Sequence, residues 1–421
     1  MADNAEAKGN GTLPHPSPRS LKGLDWFTFF VADVQTGFGP FISVYLTANK
    51  WTQEDIGLAL SIGSLVSLIG QIPGGAIVDA ARSERFAAAL AVIGIGISAC
   101  IFAFWPVLPL VFTASVLHAA ASCVLGPAIV AISVGLVGHL EIGARLGRNA
   151  RFASLGNGLA AAAMGGCAYL FSTRAVFLVT AVLLVPTLFA LAAIRGKEVD
   201  PERAHGSPPK SAPAREKGDL RRTISNPSLI IFACCAAMFN FANAAMLPLM
   251  GSTLTMRSGS SAPVFIAACI VVPQMVVAAM SPWVGRQAER WGRRPLLLAG
   301  FVALPLRGLL FASSYDPYLV IAMQLLDGIS AAVLGVLIPL VIVDVTRNTG
   351  RLNLAQGIVG AAIGVGATLS TIFAGYLADH NGTSFAFFGL AVIAALAFVL
   401  VAALMPETRP PILAEPEPRP D

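Results

Sequence analysis

The chain has 421 residues, 56% of them apolar and 12% charged, where soluble domains carry about 45–50% and about 25%. Those proportions exclude a set of soluble domains, and a mean hydropathy of +0.73 makes lipid the solvent. The 40 glycines have no three-residue period, which excludes collagen, and the apolar content excludes a disordered chain.

A helix crosses about 30 Å of hydrocarbon in about 20 residues. Twelve apolar stretches of that length are present. The first six run from Asp25 to Thr47, Ile56 to Val78, Phe86 to Trp105, Leu108 to Val137, Phe152 to Phe171 and Ala175 to Ile194. The second six run from Ser228 to Met250, Pro263 to Val284, Pro295 to Ser314, Tyr318 to Val345, Leu354 to Ala378 and Phe385 to Leu404. All are expected to be helices, because lipid offers backbone groups no partner and the alternation of barrel strands is absent. This implies an all-α integral membrane protein. A polar tail (1–23) precedes a six-helix bundle (24–195), a charged, Pro/Ser-rich linker (196–226), a second six-helix bundle (227–405) and a tail (406–421).

Of the 28 Lys and Arg, 24 fall in alternate connections and the two tails; Lys50, Arg174 and Arg257 lie on the opposite side and Arg307 inside span 9. The positive-inside rule therefore places both termini in the cytoplasm. The net charge of +5 has the same origin and calls for no nucleic-acid partner. The first 23 residues lack an apolar core and do not read as a cleaved signal peptide. The six cysteines all fall inside spans, so no disulfide framework is expected.

The halves repeat at an offset of 208 to 210 residues: Pro40 with Pro248, Gly75 with Gly285, and Val124-Leu125-Gly126 with Val333-Leu334-Gly335. Each half leaves from and returns to the same side, so the repeats are parallel, related by an axis along the membrane normal.

After span 8 the sequence reads Gly285-Arg286-Gln287-Ala288-Glu289-Arg290-Trp291-Gly292-Arg293-Arg294. This resembles the signature G-x-x-x-D-R-x-G-R-R of the major facilitator superfamily, with Glu289 in the acidic place. The loop after span 2 keeps Gly75 and Asp79, followed by Arg82 and Arg85. An acid ahead of a Gly/Pro break in span 1 (Asp33, Gly39-Pro40) and the Met405-Pro406-Glu407-Thr408 ending are similar to the drug/proton antiporters of that superfamily. Span 5 carries Gly158 and Gly165-Gly166 where that group has a Gly-Pro pair. The resemblance implies two six-helix bundles rocking about a midplane site, with the two loop motifs as gates.

A charge near the bilayer centre costs at least about 2.5–3.5 kcal/mol and needs a partner or a use. Asp33 lies about 12 Å into span 1, Arg307 about 18 Å into span 9 and Asp327 about 15 Å into span 10 from the other side. The last two are at matching depths and are expected to pair, as a helix clamp or as a proton-switched couple. Asp33 is a candidate for proton coupling, for a helix-packing hydrogen bond or for contact with a cationic substrate. His118 occupies the repeat position of Asp327 and is a candidate relay or a packing histidine. A central cavity is expected from Phe30, Gln35, Met238, Phe239, Asn240, Asn243, Met246, Gln274 and Gln324. Arg145, Arg148 and Arg151, near Glu141, read as a solvated positive-inside loop, with inner-gate pairing to Asp79 as the alternative.

No phosphate loop is present, so an electrochemical gradient must supply the work. The reading is a transporter without cofactor or metal centre, proton-coupled and exporting small amphipathic or drug-like compounds from a bacterial inner membrane as a monomer. Its expected partners are a small-molecule substrate, protons and the bilayer. Uptake of a small metabolite is the near alternative. Metalloid or metal efflux through Cys234 and Cys235 is another, although adjacent helical residues point about 100° apart. No nucleophile, base and orienter set indicates an enzyme.

Overall fold

The computed structural model describes residues 16–36, 42, 45–46, 49–206, 225–258, 262–347 and 349–409. Pro40 and most of the expected linker lie outside the described residues. Every regular element among those described is helical. The first half contains α1 (Pro18–Thr36), α2 (Gln53–Ala80), α3 (Glu84–Phe104), α4 (Leu108–Val137), α5 (Ile142–Leu170) and α6 (Thr173–Ala193). The second contains α7 (Pro227–Asn243), α8 (Met246–Ser258), α9 (Ala262–Trp291), α10 (Arg294–Ser313), α11 (Pro317–Val345), α12 (Leu352–Asn381) and α13 (Thr383–Leu404). Span 7 is thus broken after Asn243 into α7 and α8. Side-chain caps set several starts: Thr52, Ser83 and Ser172 accept main-chain N–H groups at α2, α3 and α6, and Asp316 does so at α11.

Among the described residues, ten helical stretches are long and apolar enough to cross a membrane, with α7 and α8 counted as one. The other two of the twelve expected spans are α1, described only to Thr36, and α5, diluted by Arg145, Arg148, Asn149, Arg151 and Asn157. The outward surface is apolar: Phe86 is 70% exposed and Phe189 72%. Such a surface belongs against acyl chains rather than water.

Packing inside the halves follows the repeat. In the first, α1 packs on α5 and α6, α2 on α4, and α3 on α4 and α6; in the second, α7 packs on α12 and α13, α9 on α11, and α10 on α11 and α13. The aromatic centres correspond as well, with Phe102 against Phe177 in one half and Phe311 against Phe387 in the other. Between halves the contacts are also reciprocal: α2 meets α12 and α5 meets α9 along much of their lengths, while α4 meets α12 and α5 meets α11 more briefly. The apolar core of the second half runs on into Val130, Val134, Ile142 and Leu146 of the first. These lie toward the ends bearing Arg145, Arg148, Arg293 and Arg294, called here the basic end.

The start of the expected polar linker is packed rather than free. Residues 195–206 form a strap whose Val199 and Ala204 are buried, lying over Gly135 of α4, where a side chain would come within 2.7 Å of Val199. Asp200 N donates to the Gly135 carbonyl at 3.1 Å, and His205 Nε2 lies 3.1 Å from Glu84 Oε1 at the start of α3. The strap then reaches the second half: Gly350 N donates to Gly206 O at 3.1 Å and Leu352 N to His205 O at 3.3 Å. Gly206 supports this turn with a φ of +69°.

Glu198 ties the strap to the N-terminal tail by accepting from Ser17 N and Ser17 Oγ, each at 2.9 Å. Burial works against its charge, but the Ser17 N–H, the Ser20 and Ser17 hydroxyls and Arg195 outweigh it and pull the carboxyl down to about 2. A carboxyl lowered in this way contributes stability that is in place above its ordinary value and is lost as pH falls through the lowered one. Glu198→Gln should therefore lower the melting temperature in detergent near neutral pH, and the gap from the parent should close as pH falls toward about 2. A gap independent of pH would rule out the tie.

Candidate functional site

The basic end is sealed by two carboxylates that each cap a helix of the opposite half. The first four N–H groups of a helix lack internal partners, and the helix dipole favours negative charge there. Asp79, at the end of α2, accepts from Leu354 N at 2.8 Å, Asn353 N at 3.2 Å and Asn353 Nδ2 at 2.8 Å, at the start of α12. Glu289, near the end of α9, accepts from Gly143 N at 3.1 Å, at the start of α5. Glycines make both approaches possible. A side chain at Gly75 would collide with the Asn353 carbonyl, and one at Gly285 with the Gly143 carbonyl.

Behind Glu289, the nearly buried Arg293 (1% exposed) reaches Asp344 Oδ2 at 2.8 Å and Glu289 Oε2 at 3.3 Å. Arg293 N and Arg294 N donate to the Glu407 carboxylate at 2.8 and 3.1 Å, capping α10. Burial opposes the Glu407 charge, but the N–H groups of Arg293, Arg409 and Arg294 and the Arg293 charge outweigh it and hold the carboxyl below its ordinary range. Gly292, at a φ of +94°, leaves the room that Glu407 fills. Arg294 bonds the Ala402 carbonyl at 2.5 Å as Arg85 bonds the Leu191 carbonyl at 3.3 Å, equivalent contacts in the two halves. Arg82 is exposed, and the Arg290 main chain accepts from Arg409 at 2.8 Å.

The basic loop is neither wholly solvated nor paired with Asp79 through Arg145 or Arg148. Arg145 and Arg148 both bind Asp25 of α1, at 2.5 and 2.6 Å, because the α1–α5 contact puts that buried acid beside them while the α12 amides occupy Asp79. Arg145 also reaches Asn149 at 2.8 Å, which donates to Ser133 of α4 at 2.8 Å.

At depth, Arg307 of α10 is buried to 2% exposure and ion-pairs with Asp327 of α11. Its second nitrogen donates to Asn243 Oδ1 at 2.5 Å and lies 3.3 Å from Met246 Sδ, so it bridges both sides of the break between α7 and α8. Ala245 N, inside the break, is held by Ser370 of α12 at 3.0 Å.

Two cavities among the described residues border the sites expected from the sequence. A larger one, about 380 Å3, lies between α2, α4 and α12 and contains His118, Gln71 and Ser115. A smaller one, about 230 Å3, lies between α1, α4, α5 and α11 and contains Thr28, Gln35, Asn149 and Asn157. Gln35 also donates to Ser122 O of α4 at 3.3 Å.

Most of the residues expected to line one central cavity do other work. Phe239 is buried against Phe301 and Met246 against Arg307, both in the core of the second half. Met238 packs on the same core, and Asn240 bonds Ala236 O of its own helix at 3.0 Å. Phe30 stacks on Trp26, which is half exposed at the surface. Gln274 accepts from Ser154 across the α5–α9 contact, and Gln324 is fully buried. Asp33 is buried, but its side chain leaves α1 about opposite the face carrying Val31 and Gln35, so it does not line the smaller cavity. Among the described residues its Oδ1 has no hydrogen-bond partner. Cys234 is exposed and Cys235 buried, so the pair does not share a face.

Asp25, Glu84, Asp344 and Gln71 carry contacts that the sequence did not single out. The first three sit at span ends, where a charge looks unexceptional, and their only signal is burial.

Comparison with known proteins gives a family and a fold. The sequence model of the Major Facilitator Superfamily matches residues 26–286 and 269–420. An MFS-type transporter of Mycobacterium tuberculosis is 37% identical over 408 residues, covering 95% of this chain and 96% of that protein. The tetracycline resistance protein, class B, of Escherichia coli is 33% identical over 132 residues, 31% of each chain. A crystal structure of a XylE double tryptophan mutant matches with a TM-score of 0.72 at 12% identity, covering 93% of this chain and 96% of that one, which bears on fold alone.

Removing the Asp79 carboxylate forfeits a cap of about 0.5–2 kcal/mol. Asp79→Ala should enlarge the population with a parted basic end about 2- to 30-fold, read as a longer distance between spin labels at positions 82 and 347. An unchanged distance distribution would show that the cap does not hold the halves together.

Proposed function

The chain belongs to the major facilitator superfamily, and from that premise we propose that it is a proton-coupled exporter of small amphipathic compounds working by alternating access. It is a membrane transporter of small molecules and not an enzyme. The observation that supports this reading best is the asymmetry between the two ends: reciprocal carboxylate caps seal the basic end, while the larger cavity lies between the halves beyond that seal. Placed by the positive-inside rule, the basic end and both termini are cytoplasmic, in the plasma membrane of a bacterium, and the cavity belongs to the state that releases substrate outward. Opening inward requires Asp79 and Glu289 to leave the α12 and α5 N-termini together, which the two-fold relation of the halves makes one motion. The similarity to a tetracycline resistance protein supports export over uptake.

The Arg307–Asp327 pair is the proton-sensitive element of this proposal. A proton on Asp327 removes the charged partner of a buried guanidinium, leaving it Asn243 and Met246, at the α7–α8 break, and the face of the Phe311 ring. In proteoliposomes loaded with an amphipathic dye, an imposed pH gradient should drive flux through the parent protein, and Asp327→Asn should reduce that gradient-driven flux about tenfold or more. If flux and its pH dependence survive in Asp327→Asn and in the double variant Arg307→Leu, Asp327→Leu, the pair is a clamp and the coupling assignment fails.

A further inference from the structure

α2 and α12 meet at the basic end and part toward the other. Going outward from Gly75 and Asn353, Gly357 abuts the Gln71 carbonyl, Gly360 abuts the Gln71 side chain, and a Cβ at Gly364 would lie 2.9 Å from Leu68. From Gln71 and Gly360 outward to Leu60 of α2 and Thr368 of α12, these two helices line the larger cavity, about 380 Å3, which belongs to both halves at once. That size falls in the range of small-molecule sites, about 300–1,000 Å3.

Its wall is chemically one-sided. The polar groups are the hydroxyls of Ser64, Ser67, Ser115 and Thr368, the Gln71 amide and the His118 imidazole, set among aliphatic and aromatic groups. Among the described lining residues none is Asp, Glu, Lys or Arg. Residues 37–48, of which Ile42 lines the cavity, include no Asp or Glu in the sequence. Acids elsewhere in the bundle have partners of their own, Asp25 in Arg145 and Arg148, Asp79 in the α12 amides and Asp327 in Arg307, and Asp33 is not among the described lining residues. The one titratable lining group, His118, can acquire only positive charge. An organic cation entering here would leave water without a counter-ion, which is costly, whereas hydroxyls and an amide serve a neutral solute's donors and acceptors.

We propose that this cavity binds an uncharged amphipath with hydrogen-bonding groups and discriminates against organic cations. The assignment rests on the exporter reading and narrows its substrate class. The test uses two probes of similar shape, neutral triphenylphosphine oxide and cationic tetraphenylphosphonium, with the full-length protein in nanodiscs and binding measured directly. The oxide should bind at least about tenfold more tightly, a difference of about 1.4 kcal/mol. Ser67→Leu and Gly364→Leu fill the cavity from opposite walls, and at least one that keeps the parent melting temperature should weaken oxide binding about tenfold. Thr368→Asp supplies the missing counter-ion and should bring phosphonium binding level with or above that of the oxide.

Phosphonium bound as tightly as the oxide by the parent, and lost in the filled variants, overturns the neutral class while leaving the exporter reading in place. Oxide binding untouched by both filled variants overturns the site. Failure of both probes to bind overturns the substrate class and the amphipath reading together. Oxide binding that persists where the pH gradient drives no flux leaves this assignment standing and removes the coupling.

Discussion

The arrangement of this molecule depends on a carboxylate of each half held by the first amides of a helix in the other. A helix N-terminus presents unsatisfied donors and a partial positive charge. At the edge of a bilayer, where water is scarce, a carboxylate supplies both acceptors and counter-charge. Because Asp79 caps α12 and Glu289 caps α5, the two contacts stand in two-fold relation and bind the halves at one end. Helices pinned at one end can diverge only toward the other. The wedge between α2 and α12, and the cavity inside it, follow from where the pins are. Glycines at 75, 143, 147 and 285 let the backbones close to the distance the caps need.

The halves are alike in packing but solve one problem with different parts. In the second half Arg293 is buried between Glu289 and Asp344, so a salt bridge fills the space where α9, α10 and α11 end. The repeat offset of 209 puts Glu84 where Arg293 would be and Gly135 where Asp344 would be. The signature loop of the first half is therefore degenerate in residue type, and the pocket it leaves is taken by the strap. Val199 and Ala204 lie over Gly135, and His205 reaches Glu84. The loop connecting the halves thus replaces side chains that one half has lost, and in doing so touches the start of α12 beside the Asp79 cap.

How much of this was legible in the sequence depends on what lipid makes compulsory. Continuous apolar spans and the sorting of Lys and Arg are demanded by the solvent, so the helices and their grouping into two halves could be read directly. Arg307 and Asp327 stood out because charge at depth is rare, and only a residue at equal depth can answer it. Side-chain direction was not legible in the same way. One residue turns a helix by about 100°, so Asp33 could be placed at a depth but not on a face, and it lies away from the cavity. Phe239, Met246 and Asn243 were chosen for type, yet the break in span 7 decides their surroundings. Asp25 and Glu84 escaped notice because a charge at a span end costs nothing visible until the neighbouring helix arrives.

The break also explains why a buried ion pair at this place can matter to movement. Backbone groups freed inside a membrane helix need outside partners, and here Ser370 takes Ala245 N while Arg307 holds the flanking Asn243 and Met246. One guanidinium therefore serves two masters, the Asp327 charge and the two segments of span 7. On the proposed mechanism, neutralising Asp327 leaves the guanidinium with the segment ends and the Phe311 ring, in surroundings that do not tolerate an unpaired charge. The response open to it is to draw polar groups closer, and Asn243, the polar side chain it already holds beside Asp327, belongs to a membrane helix that is divided. A charge event at Asp327 is thereby converted into a change of angle between α7 and α8, and α7 packs on α12, the helix whose other end carries the Asp79 cap.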